Sequence, residues 1–122
     1  MLNTAALDFH SELNHFWHAL RADSVTKDVR ARLDDARREH RARYSEAQMR
    51  VPDDVHAVID GVHRRLNRIY GVLKRLGSGI PSGWDDDESL DGTHHQITGV
   101  WEQLAQMRRT MRRSLGVTQD SP

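Results

Sequence analysis

The chain has 122 residues, and its 18 Lys+Arg balance 18 Asp+Glu, so the formal net charge is zero with eight histidines held neutral. That length suits one domain, while 37% apolar and 30% charged residues exclude both a membrane-embedded and a disordered chain. Cysteine is absent, which excludes disulfides, thiol catalysis and cysteine-ligated zinc, and the start MLNTAALDFHSELN lacks a signal peptide's basic and apolar blocks, so a cytoplasmic location is expected.

Leu2, Ala6, Phe9, Leu13, Phe16 and Leu20 step by four and three, which predicts a first helix of about 20 residues with Trp17 bordering its stripe. A polar break at Asp23 and Ser24 precedes a second stripe of Val25, Val29, Leu33, Ala36, His40, Tyr44, Ala47 and Val51. This seam is thin, because alanine, histidine and tyrosine stand where large aliphatics would bury more area, so a bundle edge or a partner contact is expected there. Pro52, Asp53 and Asp54 start a third helix, with proline in its first position. Its stripe of Val55, Val58/Ile59, Val62, Leu66, Ile69, Leu73 and Leu76 ends at Gly77 as a C-terminal cap, and Gly61 and Gly71 inside it suggest a close helix crossing. Residues 77–92, rich in glycine and carrying five acids, read as a flexible loop. A last helix carries Ile97, Val100/Trp101, Leu104, Met107, Met111 and Leu115 and frays into a polar tail. With no strand-like alternation and no internal repeat, the expected architecture is all-α, an antiparallel bundle of four helices.

Sixteen of the 18 cations are arginine, which binds phosphate and carboxylate bidentately, so where the arginines point matters more than the zero sum. No acid occurs between Gly61 and Leu76, a window with Arg64, Arg65, Arg68, Lys74 and Arg75, although Asp60 just before it can pair with Arg64. In the last helix Arg108, Arg109, Arg112 and Arg113 lie far from Glu102. Arg32, Arg38, Arg43 and Arg50 each follow an acid by four residues, a structural pattern, whereas Arg30, Arg37 and Arg41 share one flank without that partner. Solvated faces that keep a bundle soluble explain such charges without function. The functional alternative is a surface that tracks a phosphate backbone, with few aromatics for stacking bases.

Trp84, Asp85, Asp86 and Asp87 in the acidic loop form a candidate protein contact, the indole seated in a partner's pocket and the acids meeting arginines of a neighbouring copy. A calcium loop fails there, since Leu90 and Gln96 stand where the glycine and the bidentate glutamate belong. Acid-x-x-His spacing recurs at Glu12/His15, Asp53/His56, Asp60/His63 and Asp91/His94, but Asp8, Glu12 and His15 fall on an outer face and His56, Asp60 and His63 flank the seam, so no metal or other cofactor is expected. His40 alone lies in a seam, where a hydrogen-bonded core or interface histidine is expected rather than a metal ligand. No phosphate loop, nucleophile elbow or paired catalytic acids occur, so no enzyme is expected.

The length, the all-helical pattern and arginines such as Arg64, Arg68, Arg109 and Arg113 resemble the small-subunit family of multi-subunit CRISPR effector complexes, over the whole chain in size and class only. The neutral charge departs from that family. The resemblance implies copies stacked along a filament, arginines facing guide RNA or target strand, and no activity of their own. The expected function is thus a non-enzymatic subunit binding nucleic-acid backbone and other protein subunits, with no membrane association. The alternative is a helical adaptor, regulator or immunity-type protein that binds a protein through Trp84 and the second helix.

Overall fold

A computed structural model describes residues 2–78 and 90–114. Four helices account for nearly all of them: α1 (Leu2–Arg21), α2 (Lys27–Gln48), α3 (Asp53–Gly77) and α4 (Leu90–Ser114). Numbering runs oppositely across paired contacts, His10–Ile97 with Trp17–Leu90 and Asp34–Tyr70 with Tyr44–Asp60, so α1 is antiparallel to α4 and α2 to α3. The result is a compact helical bundle, and among the described residues no strand occurs and no helix is long and apolar enough to cross a membrane.

The core follows the predicted stripes. Phe9, Leu13, Phe16, Leu33, Leu66, Leu73 and Val100 have no exposed surface, and each large aliphatic or aromatic residue so buried contributes about 1.5–3 kcal/mol relative to an exposed one. Trp17 is buried as well, its Nε1 donating to the Leu90 carbonyl at 2.6 Å and its ring 4.1 Å from that of His94. That contact fixes the start of α4, which therefore begins within the stretch predicted as loop: Leu90, Asp91 and Gly92 are helical, and Gly77 is the last residue of α3 rather than its cap. Ser78 is the C-cap, its N–H shared between the Lys74 and Arg75 carbonyls. Pro52 likewise stands one place before the first turn, as N-cap, its carbonyl accepting from His56 N–H at 2.9 Å. Residues 79–89, with Trp84, Asp85, Asp86 and Asp87, lie outside the described residues, as does Leu115.

At the α1–α2 turn Asp23 adopts φ 53°, a left-handed conformation, while Ser24 N–H reaches back to Ala19 O at 2.8 Å. Six-to-one closure of this kind ends a helix, normally on glycine, and aspartate tolerates it because its short side chain bonds locally. Thr26 then caps α2, its hydroxyl accepting from Val29 N–H at 3.1 Å.

The predicted close crossing at Gly61 and Gly71 is absent: a Cβ at either would meet nothing within 4 Å. Closeness occurs at two other glycines. A Cβ on Gly77 would lie 2.9 Å from Phe16 Cζ, and one on Gly99 2.7 Å from Arg65 Nη2. Trp101 also departs from its stripe; Val100 takes the core position and Trp101 is 55% exposed.

Candidate nucleic-acid interface

The eleven candidate arginines divide among separate surfaces of the bundle. On α2, Arg30 and Arg37 have no acid partner, in line with the sequence, but neutral groups of the chain itself occupy them. Arg30 Nη2 donates to the Gly77 carbonyl at 2.8 Å, capping the end of α3. Arg37 Nε donates to Asn67 Oδ1 at 3.1 Å, and its guanidinium lies 4.5 Å over the Tyr70 ring. Only Arg41 of that flank is exposed and makes no ion pair among the described residues.

These contacts belong to a polar ladder that joins α2 to α3. Asp34 accepts from Tyr70 Oη at 2.7 Å and from Lys74 Nζ at 3.2 Å. Partial burial would raise its pKa, but Tyr70 and Lys74 hold it below the usual carboxylate value. Lys74, expected to lack an acid, is therefore offset across the helix pair. Ten residues along each helix, Tyr44 Oη donates to Asp60 Oδ1 at 2.7 Å, and Asp60 also takes Arg64 at 2.8 Å, the predicted i,i+4 pair. Burial and then Asp60 push the Tyr44 hydroxyl up to about 12. Between these rungs the rings of Tyr44 and His63 lie parallel, 3.8 Å apart, and His63 stacks at 5.3 Å on His40. His40 is core, as predicted, yet its Nδ1 has no hydrogen-bond partner, and burial followed by the charge of His63 lowers its pKa to about 4.

The predicted i,i+4 pairing within α2 holds for Arg43, which takes both Glu39 and Glu46. It fails for the others because better-placed acceptors compete: Arg32 reaches Glu12 on α1 at 3.5 Å, Arg38 pairs with Asp35, and Glu46 turns to Arg43 and not to Arg50. Glu12 accordingly faces α2 and not solvent, contrary to its assignment to the outer face with Asp8 and His15.

The second surface is the outer edge of α3 where it meets α4. Here Arg64, Arg65 and Arg68 surround a groove of about 230 Å³ floored by Ile69 and Val72 and closed by Thr93 and Gln96. Arg65 is fixed in it by two neutral amides, Nη1 donating to Gln103 Oε1 at 3.0 Å and Nη2 to Gln96 Oε1 at 3.2 Å. Gly99 makes this possible, because the guanidinium lies against α4 where any side chain would stand. Amide oxygens orient the guanidinium without cancelling its charge. Arg68 beside it makes no ion pair among the described residues and is exposed, so two positive charges remain over that of the Arg64–Asp60 pair. Gly61, also lining the groove, leaves open space where a side chain would fill it. Arg75 belongs to the same helix and is exposed.

The four arginines of α4 are exposed and do not join this groove as one patch; Arg108 instead lines the cleft between α1 and α4 with Leu7 and Trp101. Periodicity marked Arg64, Arg65 and Arg68, but not Gln96, Gly99 or Gln103, whose role depends on a neighbouring helix. His10 was missed too: it is buried on α1, bonded through Nε2 to the Ile97 carbonyl at 2.8 Å, and burial lowers its pKa against that bond. The thin α2 seam, a candidate partner surface, is turned inward, with Leu33, His40 and Tyr44 buried. Among the described residues no group of three or more His, Asp or Glu side chains is placed to hold a metal ion. No protein-family model, curated protein or solved structure matches this chain.

Proposed function

We propose that the chain is a non-enzymatic, cytoplasmic helical subunit of a nucleoprotein complex, contacting the backbone of RNA or single-stranded DNA through the α3–α4 groove and packing against neighbouring protein subunits. One observation carries this reading: among the described residues Arg65 is held by two amides and no carboxylate, beside an Arg68 that makes no ion pair. A guanidinium fixed in advance, with its charge uncancelled, loses little side-chain freedom when a phosphate arrives and releases the counterions of that phosphate. Zero net charge does not oppose it, because among the described residues acids of the α2 helix are taken up by Lys74 and Arg43, away from this groove. Service as one of several copies along a filament, as the likeness to CRISPR small subunits implies, is part of the same proposal.

The test is binding of labelled single strands across a salt series. Wild-type protein should bind at low salt, and Arg65→Ala and Arg68→Ala should each reduce the slope of log affinity on log salt by about 0.7, the single-strand value for one phosphate contact. Undetectable binding at low salt, or an unchanged slope in both variants, refutes the reading.

A further inference from the structure

We propose that the α1–α4 cleft beside Trp101 is a second contact for the same ligand, one that takes an unpaired nucleobase of single-stranded nucleic acid. The inference rests on the backbone-binding reading above and adds to it a base-stacking site on the other side of α4. Three features converge there. Trp101 is 55% exposed, an unusual position for so large an apolar ring, and it is braced from behind by His10, whose ring centroid lies 4.7 Å away. His10 is itself pinned to the Ile97 carbonyl, so the indole rests on a fixed support. Beside the indole a cleft of about 60 Å³ is lined by Leu7, Asn3 and Arg108, a space that admits the edge of a planar group but not a whole ring.

The polar groups of that cleft match such an edge. Asn3 lines the cleft, and its Oδ1, closed off from solvent and without a hydrogen-bond partner, meets the N–H that every nucleobase carries on its Watson–Crick edge once this half-buried side chain turns toward the cleft. Arg108 makes no ion pair among the described residues and supplies the cation for the adjoining phosphate. An aromatic face, a cation and a base-edge acceptor are the elements of a single-strand platform, whereas duplex DNA hides its base faces and cannot use the indole. The α3–α4 groove and this cleft lie on opposite flanks of α4, with Arg109 and Arg113 exposed farther toward its C-terminal end. A single strand crossing α4 would then meet phosphate contacts on one side and a stacking ring on the other.

The experiment measures the full-length chain against two labelled probes, an oligo(dA) strand and an abasic strand of equal length. Trp101→Ala should weaken oligo(dA) binding by roughly 5- to 150-fold, the change that about 1–3 kcal/mol of stacking corresponds to, and leave abasic binding unchanged. Trp101→Phe, which keeps a ring, should retain most of the oligo(dA) affinity. Arg108→Ala should weaken both probes alike. Loss of stacking alone is overturned when Trp101→Ala weakens both probes equally, or neither, the latter leaving the indole to a protein partner. The two readings fail separately: wild-type binding to both probes with no response to Trp101→Ala sinks the stacking site only, while no wild-type binding to either probe sinks the backbone reading and this one with it. Should Trp101→Ala unfold the bundle, Trp101→Leu, which keeps apolar bulk without an aromatic face, decides: its ratio of oligo(dA) to abasic affinity falls below the wild-type value on this proposal, and an unchanged ratio overturns it.

Discussion

The two long edges of α3 treat the same residue type in opposite ways. Toward α2, cations are used up: Lys74 goes to Asp34, Arg30 to a helix-end carbonyl, and Arg37 to Asn67 and the face of Tyr70. Toward α4, Arg65 is oriented by two glutamines and Arg68 by nothing among the described residues. One edge is a joint, in which the cations' donors are engaged to hold a thin helix in place, Lys74 by a carboxylate and Arg30 and Arg37 by neutral groups. The other sets an oriented arginine beside Arg68, which pairs with nothing among the described residues and which a joint does not need. An arginine count therefore says little about a polyanion site until the partner of each is known.

The largest effect expected from this difference is on the joint and depends on pH. His40 has a folded pKa of about 4 against an ordinary 6.5, so burial favours its neutral form. Its contribution to stability is fully present above pH 6.5 and is lost progressively as pH falls toward 4, by about 3 kcal/mol at its full extent. His63 and His10, lowered in the same direction, add to the slope with the same sign. Denaturant midpoints across that range should fall steeply for the wild type and more gently for His40→Leu; a flat wild-type profile would show that the ring is not held neutral. Next in size is Asp34→Ala, which leaves the Tyr70 hydroxyl and Lys74 without their acceptor. A loss of about 1–2 kcal/mol is expected, moderated because this pair is about one-third exposed. Arg65→Ala should cost less than Asp34→Ala. The reverse order would make the α3–α4 arginine a structural clamp and erase the contrast between the edges.

Binding should respond in the opposite sense. Arg68→Ala is expected to lower single-strand affinity roughly tenfold with little change in stability, a contribution of about 1.4 kcal/mol. Arg37→Ala should lower stability and leave affinity alone, since its guanidinium lies over Tyr70 on the α2 side of α3 and does not line the groove. Equal responses of the two variants in a strand-binding titration would mean that exposure, and not partnering, governs the site.

Much of this was legible in the sequence, for identifiable reasons. The α1 and α3 stripes are dense enough that their four-three rhythm alone determines which face is buried, and Asp60–Arg64 is local. What escaped depends on contacts across helices. Leu90, Asp91 and Gly92 read as loop because composition cannot show that Trp17 bonds the Leu90 carbonyl. Arg32 and Arg38 each have an acid four residues earlier, yet Glu12 and Asp35 took them, since i,i+4 pairs are worth only about 0.3–0.5 kcal/mol and are easily outbid by another geometry. Trp101 and Val100 are adjacent apolar residues, and only the position of α1 decides which of them enters the core.

The glycines provide the finest test, because Gly61 and Gly99 are both exposed and interior to a helix, Gly61 lining the groove and Gly99 standing behind its Arg65. Replacing either by alanine raises helix propensity by the same amount, about 1 kcal/mol. At Gly61 the new methyl meets nothing, so Gly61→Ala should be stabilised by close to that amount. At Gly99 the methyl would stand 2.7 Å from Arg65 Nη2 and must displace the guanidinium. The displaced end is flexible, so the fold survives, but Arg65 gives up Gln96 and Gln103, and those bonds offset most of the propensity gain. Thermal denaturation should therefore separate two chemically identical substitutions by about 0.5–1 kcal/mol, with Gly61→Ala the more stable. Single-strand binding should weaken in Gly99→Ala, because its arginine keeps its charge but loses the fixed orientation. If Gly99→Ala instead binds as well as wild type, charge alone suffices in the groove and the two glutamines serve only to join α3 to α4.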